Sequence, residues 1–591
     1  MSERIPPFHP WSLNRLLQRV AHEWETRREI FGFPGRRFFK RNPSVDLGIT
    51  IGDRTVATPL GPAAGPHTQL AQNIVLGWLA GARSFELKTV QILDELHIDR
   101  PCIDMENVGY NIEWSQELTL DQSLQEYAKA WLLLEVLRRW EPLREVLGDP
   151  GDHLFELSVG YDLAGIRSEK MREFIDGLRR AEPIIDGLRE EIDGPFAHLR
   201  DVPVSGEIIS TATLSTFHGC PPDEVEEIIQ HLMSAHGLDV TVKLNPTLLG
   251  FDTVAAVIND RLGYRDVELV PDAFAEDMKF ERAIEMIGRL QEFAVRQGRE
   301  FGIKLTNTLV VANKRGLMPG DRMYLSGPPL HVLAVTLLDR LHGALPGVLR
   351  LGVASGPVPV AFSAGIDKDN LADTVALGLA PVTICSDLLK PGGYGRMAQG
   401  LRKLTRAMAD AGCTDLSEWR AAADAAAKAA GRRNAVAALA HRLAAPCGSD
   451  RYSLAATDKG LREVDHELEM FDCVACGNCV TVCPNNAFFT APTRGEDLQA
   501  RSQYFVLAEI CNECGNCTTF CPEEGSPHLI KPRLYLDRAA WQANDREGYL
   551  IAKTSSGAVE MVAGPGGAED EETARRLAEL LGDGKGAPFN R

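Results

Sequence analysis

The sequence contains no run of roughly 18 apolar residues, the minimum for a membrane-spanning helix. Its strongest candidate, Trp131–Leu137, is short and interrupted by Glu135. The N-terminus has no apolar core of the kind a secretory signal needs. Gly35-Arg36-Arg37-Phe38-Phe39-Lys40 imitates a twin-arginine signal, but polar Arg41-Asn42-Pro43-Ser44 follows it, so it reads as a basic turn. A cytoplasmic protein is expected, with no membrane partner. Positive charge is also scarce: 63 Lys+Arg stand against 82 Asp+Glu, a formal charge of −19. Phosphate-backbone binding needs a basic surface, so no nucleic-acid partner is expected. No G-x-G-x-x-G dinucleotide loop occurs; Gly392-Gly393-Tyr394-Gly395 and Gly564-Pro565-Gly566-Gly567 do not fit it. Nor is there a molybdenum-cofactor signature or an internal repeat beyond one doubled cysteine motif.

What is present is an ordinary enzyme-like composition, 44% hydrophobic and 25% charged over 591 residues, enough for several domains and a large core. Residues 1–45 read as an arm, helical around Trp11–Arg28. Between 46 and 410, short β-rich runs alternate with helical stretches such as Asp223–His236 and Phe280–Gln297. The runs are Thr55–Leu60, Arg83–Thr89, Leu154–Val159, Glu207–Ser215, Val240–Leu244, Phe301–Thr306, Val358–Ser363 and Val382–Cys385. Eight strands separated by helices predict an α/β fold, a (β/α)8 TIM barrel; a doubly wound sheet is the rival. Residues 411–465 form an Ala-rich helical connector, 466–535 hold the cysteine motifs, and 536–591 form a tail.

Eight of the 13 cysteines fall into two motifs, and the others (Cys102, Cys220, Cys385, Cys413, Cys447) are scattered. Cys473, Cys476, Cys479 and Cys483-Pro484 have the C-x2-C-x2-C-x3-C-P spacing. Cys511, Cys514, Cys517 and Cys521-Pro522 repeat it. Tight spacing wraps three thiolates around one cubane, and the Cys before Pro serves the other cluster. One [4Fe–4S] centre is therefore expected on Cys473, Cys476, Cys479 and Cys521. The second is expected on Cys511, Cys514, Cys517 and Cys483. The zinc alternative normally uses two C-x2-C pairs for four thiolates, and fits four cysteines per motif poorly. Together these features predict a C-terminal α+β bacterial-type 2[4Fe–4S] ferredoxin domain. Two adjacent clusters make an electron wire.

Barrel enzymes place their sites at the carboxyl ends of the strands. Those ends carry Ala63-Ala64-Gly65, Lys88-Thr89, Lys243-Leu244-Asn245, Thr306-Asn307, Ser363-Ala364-Gly365 and Cys385-Ser386. Taken together, two Lys, one Asn and several small-residue loops form a site hypothesis, and small residues after strands seven and eight suit a phosphate pocket.

The runs Thr58–His67, Lys88-Thr89, Thr241–Pro246, Thr306–Thr308, Ser326-Gly327-Pro328 and Ser363–Ile366 resemble the FMN-binding dihydroorotate and dihydropyrimidine dehydrogenases. Over nearly the whole chain the sequence is similar to bacterial selenate-reductase-like flavoproteins associated with purine catabolism. Gly61–Asn73, Phe85–Leu93, Ser158–Ile166, Thr213–Pro222 and Cys511–Phe520 carry that match. The resemblance implies FMN. Ala63, Ala64, Gly65, Lys88, Thr89, Lys243, Asn245, Thr306, Asn307, Ser326, Gly327, Ala364, Gly365, Cys385 and Ser386 would then form its site. Lys88 and Lys243 would contact the isoalloxazine or ribityl region, and Asn307 would orient substrate or flavin. The family's acid/base is a Cys or Ser directly before Pro after strand four, where Cys220-Pro221 stands here; His218 is the reserve candidate. The family's Asn just upstream is replaced near Ser215, which departs from orotate-type recognition.

These flavoproteins carry a FAD- and nicotinamide-binding domain between barrel and clusters, whereas here one helical connector joins the two. The expectation is therefore an oxidoreductase subunit of a hetero-oligomer. A FAD/NAD(P)H-dependent reductase or a ferredoxin-type donor exchanges electrons with its clusters. FMN then reduces or oxidises a C=C or C=N bond of a small heterocycle such as a purine or pyrimidine. The alternatives are a glutamate-synthase-like flavin enzyme and a non-catalytic electron-transfer adaptor.

Overall fold

The computed structural model describes residues 8–581, apart from 94–97, 113–114, 216–220, 317, 459, 494–497, 554–558 and 565–567. Strands one to eight are Leu60–Pro62, Ser84–Glu86, Leu154–Val159, Ile209–Ser215, Asp239–Leu244, Phe301–Leu305, Val358–Phe362 and Val382–Ile384. From two through eight and back to one, each pairs in parallel with the next. Between strands one and two the Arg83 amide donates to Leu60 O at 3.0 Å. The sheet thus runs in barrel order, and the doubly wound alternative is set aside.

Strand one contains a close approach that only glycine permits. A Cβ on Gly61 would lie 1.5 Å from Ser84 O. Gly61→Ala must therefore part the seam between strands one and two. It is expected to destabilise the protein by more than about 4 kcal/mol, read as a lowered guanidinium midpoint; an unchanged midpoint would contradict this seam.

The helices follow from apolar periodicity. Phe280–Gln297 buries Ala283, Met286, Ile287, Leu290 and Ala294 on one face and ends at Gly298, whose φ is +63°. One sequence expectation needs correction. The run Thr55–Leu60 is not a single strand: Arg54–Val56 pairs with Ile49–Ile51 in a hairpin, and the barrel strand starts at Leu60. The hairpin tip reaches the opposite end of the barrel from the loops of interest, with Gly52 against the Asp239 carboxylate.

Two excursions cross the carboxyl end of the barrel. Ile103–Asp104 and Gly109–Asn111 follow strand two, while Leu309–Ala312 and Arg322–Ser326 follow strand six. They form one four-stranded antiparallel sheet. Farther along, Phe488–Pro492, Ser502–Leu507, Arg533–Tyr535, Tyr549–Lys553 and Val559–Ala563 make a five-stranded sheet, so the cysteine-bearing unit continues past residue 535. The N-terminal helix Leu13–Arg27 buries Leu16, Leu17, Val20 and Trp24. Trp11 Nε1 donates to Glu509 Oε2 at 2.7 Å, and Arg27 donates to Thr490 O at 2.9 Å, so the arm is fastened to the cysteine-bearing unit. No helix among the described residues is long and apolar enough to cross a membrane.

Candidate functional site

A cavity of about 520 Å3 opens at the carboxyl ends of the strands, and all eight strands or the loops after them line it. Of the residues singled out from sequence, Ala63, Ala64, Gly65, Lys88, Thr89, Lys243, Thr306, Asn307, Ser326, Gly327, Gly365, Cys385 and Ser386 line this space. Two others stand behind its wall. Ala364 is wholly buried, with its carbonyl 3.1 Å from His331 Nδ1. Asn245 accepts from Asn307 Nδ2 at 2.7 Å and donates to Asp277 Oδ2 at 3.1 Å, so it braces Asn307 rather than facing the cavity. Cys220 and His218 lie outside the described residues. Ser215, five positions before Cys220 at the end of strand four, lines the cavity.

Part of the wall, after strands one, six, seven and eight, is built from backbone and small side chains. Gly365 has φ +55°, and a Cβ there would meet Gly327 O at 2.4 Å. A Cβ on Gly65 would stand 3.0 Å from Cys385 Sγ. The Ser326 and Ser386 hydroxyls lie 2.8 Å apart beside this cradle. Thr306 Oγ1 and Thr383 Oγ1 are buried in cavity-lining residues without a hydrogen-bond partner among the described atoms. Buried hydroxyls without a partner are costly, and a polar ligand would satisfy them. Glycine cradle, small hydroxyls, two lysines and a cavity of ligand size fit a phosphorylated flavin.

Sequence reasoning missed several lining residues. Tyr161 and Asp162 follow strand three directly and obey the same strand-end rule that found the others. Tyr110 and Tyr324 sit on the two excursions, facing the cavity only because those distant segments pair. Nothing local marks them.

The cysteines gather as two sets. Burial, and then the neighbouring Cys476, Cys473 and Cys521 thiols, push the Cys479 thiol up from its ordinary pKa. Burial likewise raises Cys514 and Cys517, followed for each by its neighbours, Cys483 among them. Cys511 is pushed up to about 12, chiefly by burial. Cys483, Cys511, Cys514 and Cys517 line one small enclosed space together with His528. So each Cys-Pro cysteine sits with the other motif's triplet. Thiols this desolvated and mutually repelling ionise only against strong positive charge, which an iron–sulfur core supplies.

The two sets differ in exposure. Cys511, Cys514 and Cys517 are buried, whereas Cys476 is exposed beside Val474, itself 43% exposed. The inner set touches the barrel. The Cys102 and Ile103 amides both donate to Cys514 O, at 3.1 and 3.0 Å. Ile103, Met105 and Leu389 pack in one cluster with Cys514 and also line the cavity. Asn516 Nδ2 secures the same junction by donating to Leu389 O at 2.9 Å. Gly515 allows it, for a Cβ there would meet Pro101 Cβ at 2.6 Å.

Residues 31–435 match the family described as "Oxidoreductase YgfK, N-terminal TIM-barrel domain", and residues 472–524 match "4Fe-4S dicluster domain". Two Escherichia coli proteins, from strain K12 and from O157:H7, are both named "Putative oxidoreductase YgfK". Each is 38% identical over 422 residues, covering 67% of this chain and 39% of the relative. The chain thus spans about two fifths of the length of these relatives. Two solved structures of DHODH from Eimeria tenella, one ligand-free and one with ferulenol, align with TM-score 0.41 and 14% identity. They cover 68% and 70% of this chain and 97% and 96% of theirs. With its barrel match spanning most of the sequence, the chain belongs to the YgfK N-terminal TIM-barrel family and carries a 4Fe-4S dicluster domain behind the barrel.

Proposed function

We propose that this chain is an iron–sulfur flavoprotein oxidoreductase subunit that exchanges electrons with a partner and reduces or oxidises a C=C or C=N bond of a small heterocycle, such as a purine or pyrimidine. The observation that carries this reading is the junction at Cys514, where residues packed on the inner cysteine set also form the cavity wall. Cys473, Cys476, Cys479 and Cys521 hold the outer [4Fe–4S] cluster, and Cys511, Cys514, Cys517 and Cys483 hold the inner one. The exposed edge at Cys476 suits a FAD/NAD(P)H-dependent reductase or a ferredoxin-type donor. The buried inner set faces the barrel.

FMN, when bound in the cavity, supplies the conversion between one-electron clusters and two-electron substrate chemistry. Gly327, Gly365, Ser326 and Ser386 receive its phosphate, while Lys88 and Lys243 place positive charge against its ring system. Asn307, braced by Asn245, orients the ligand. The tyrosines Tyr110, Tyr161 and Tyr324 shape the space around it. Cys220 holds or releases the proton that accompanies hydride transfer, with His218 in reserve.

The test is anaerobic mixing of reduced holoprotein with purines, pyrimidines and their dihydro forms, following flavin absorbance. Reoxidation by a heterocycle is expected. Reoxidation only by 2-oxoglutarate with glutamine would move the reading to glutamate-synthase-like chemistry. FMN that stays reduced with every compound, yet passes electrons to a protein acceptor, would make the chain an adaptor.

A further inference from the structure

Barrel interiors are normally filled by layers of Val, Ile and Leu. Directly beneath this cavity the filling is charged instead. Glu86, on strand two, is 1% exposed and lies 2.8 Å from Lys243 Nζ of strand five and 2.8 Å from Lys304 Nζ of strand six. Lys304 is wholly buried. The same carboxylate accepts the Ala64 amide at 3.0 Å, and Lys243 Nζ also donates to Ser215 Oγ at 3.2 Å. Lys243 and Lys304 are register partners on neighbouring strands, as are Glu86 and Glu156. One carboxylate therefore ties two lysines and the loop after strand one into a single arrangement. Of the two lysines and the carboxylate, Lys243 is the one that lines the cavity.

Charge bookkeeping gives this chain a direction. Burial alone would raise the Glu86 pKa, but the Lys243 and Lys304 ammoniums outweigh it and hold the carboxyl below its usual range. Burial raises the pKa of Glu156, opposed by Lys304 and reinforced by Glu86, and Thr213 donates to this carboxyl at 2.6 Å. At Glu86 two lysine side chains meet one carboxylate, and Lys243 carries that charge to the cavity. Folding does not require such a layer: buried ion pairs replaced by apolar groups of similar volume often leave stability unchanged or improved. A ligand whose charge changes during turnover does benefit from it, because electrostatics act strongly in a dry site.

We propose that Glu86 and Lys304 are positioning residues that set the reduction potential of the bound flavin, Glu86 by fixing the Lys243 ammonium against it and Lys304 by balancing Glu86. This rests on the FMN reading above. Removing the Glu86 charge would leave two cations at the floor of the cavity, which would favour the more negative, reduced flavin. Removing Lys304 leaves none in balance, which disfavours it.

The experiment is dye-coupled potentiometry of FMN-loaded variants. Glu86→Gln is expected to raise the potential and Lys304→Met to lower it, each by at least a tenfold change in the equilibrium with the dye, about 30 mV for a two-electron couple. Where a single variant does not fold, two double variants decide. Glu86→Gln with Lys304→Met keeps Lys243 and is expected within tenfold of the wild type. Glu86→Gln with Lys243→Met leaves its cation on deeply buried Lys304 and is expected more than tenfold lower. Single variants with unshifted potentials, or doubles with equal ones, overturn the inference while FMN remains bound. A protein that purifies with clusters but never takes up FMN overturns this inference together with the reading it rests on.

Discussion

Replacing Cys514 with alanine is expected to cut donor-driven reduction of the flavin to background. Cys514 is the point where the cysteine-bearing unit meets the barrel. Its carbonyl takes the amides of Cys102 and Ile103, and its side chain packs with three cavity-lining residues. Alanine keeps the backbone bonds but removes one of four thiolates from a set that also holds buried Cys511 and Cys517 and half-buried Cys483. About four irons per chain should be lost, while small-molecule photoreduction of bound FMN should persist. Because cluster loading and local folding are coupled, Cys476→Ala provides the companion at the exposed edge. It should also stop reduction by a protein donor, yet leave the buried junction intact. Donor-driven reduction at the wild-type rate in either variant would remove the wire from the account.

Cys220→Ala is expected to lower turnover with a heterocyclic substrate by about 100- to 10,000-fold, the usual contribution of a positioned proton donor or acceptor. FMN content and cluster-to-flavin electron flow should not change. The chain distance supports the assignment: Ser215 lines the cavity, and Cys220 follows five residues later, directly before Pro221. Cys220→Ser should recover part of the rate, with the pH profile moved, since a hydroxyl is a weaker acid than a thiol. If Cys220→Ala turns over normally and His218→Gln does not, the proton role belongs to His218. Normal turnover in both variants removes this loop from the chemistry.

Much of the barrel was legible because strand-forming runs and helical periodicity alternate without ambiguity. Seven of the eight runs overlap their barrel strands closely, and small or charged residues at strand ends mark the cavity. The first run misled because Thr55 and Val56 have the β-branched character of a strand, but they pair with Ile49–Ile51 outside the barrel. The strand that does enter the barrel is Leu60-Gly61-Pro62, chosen by the need for a side-chain-free contact rather than by β propensity. Ala364 and Asn245 show the limit of the strand-end rule: proximity in sequence to a cavity residue does not decide which way a side chain points. Lys304 and Glu86 were hidden for a different reason. Lys304 is a lone charge in the apolar run Phe301–Leu305 and Glu86 ends the short strand Ser84–Glu86, and their meaning appears only when three strands bring both lysines to one carboxylate. The grouping of each Cys-Pro cysteine with the other motif's triplet was legible from spacing, since cubane geometry constrains the chain locally. Their unequal exposure, which would orient the proposed wire, is a tertiary property that spacing does not encode.

In the proposed function, one chain joins two iron–sulfur clusters to a flavin in the barrel. Anaerobic purification followed by identification of the extracted flavin and assay of iron and sulfide tests it most directly. FMN near one per chain with about eight irons is expected, as two four-iron centres demand. Eight irons with no flavin, and no uptake of added FMN, would contradict it.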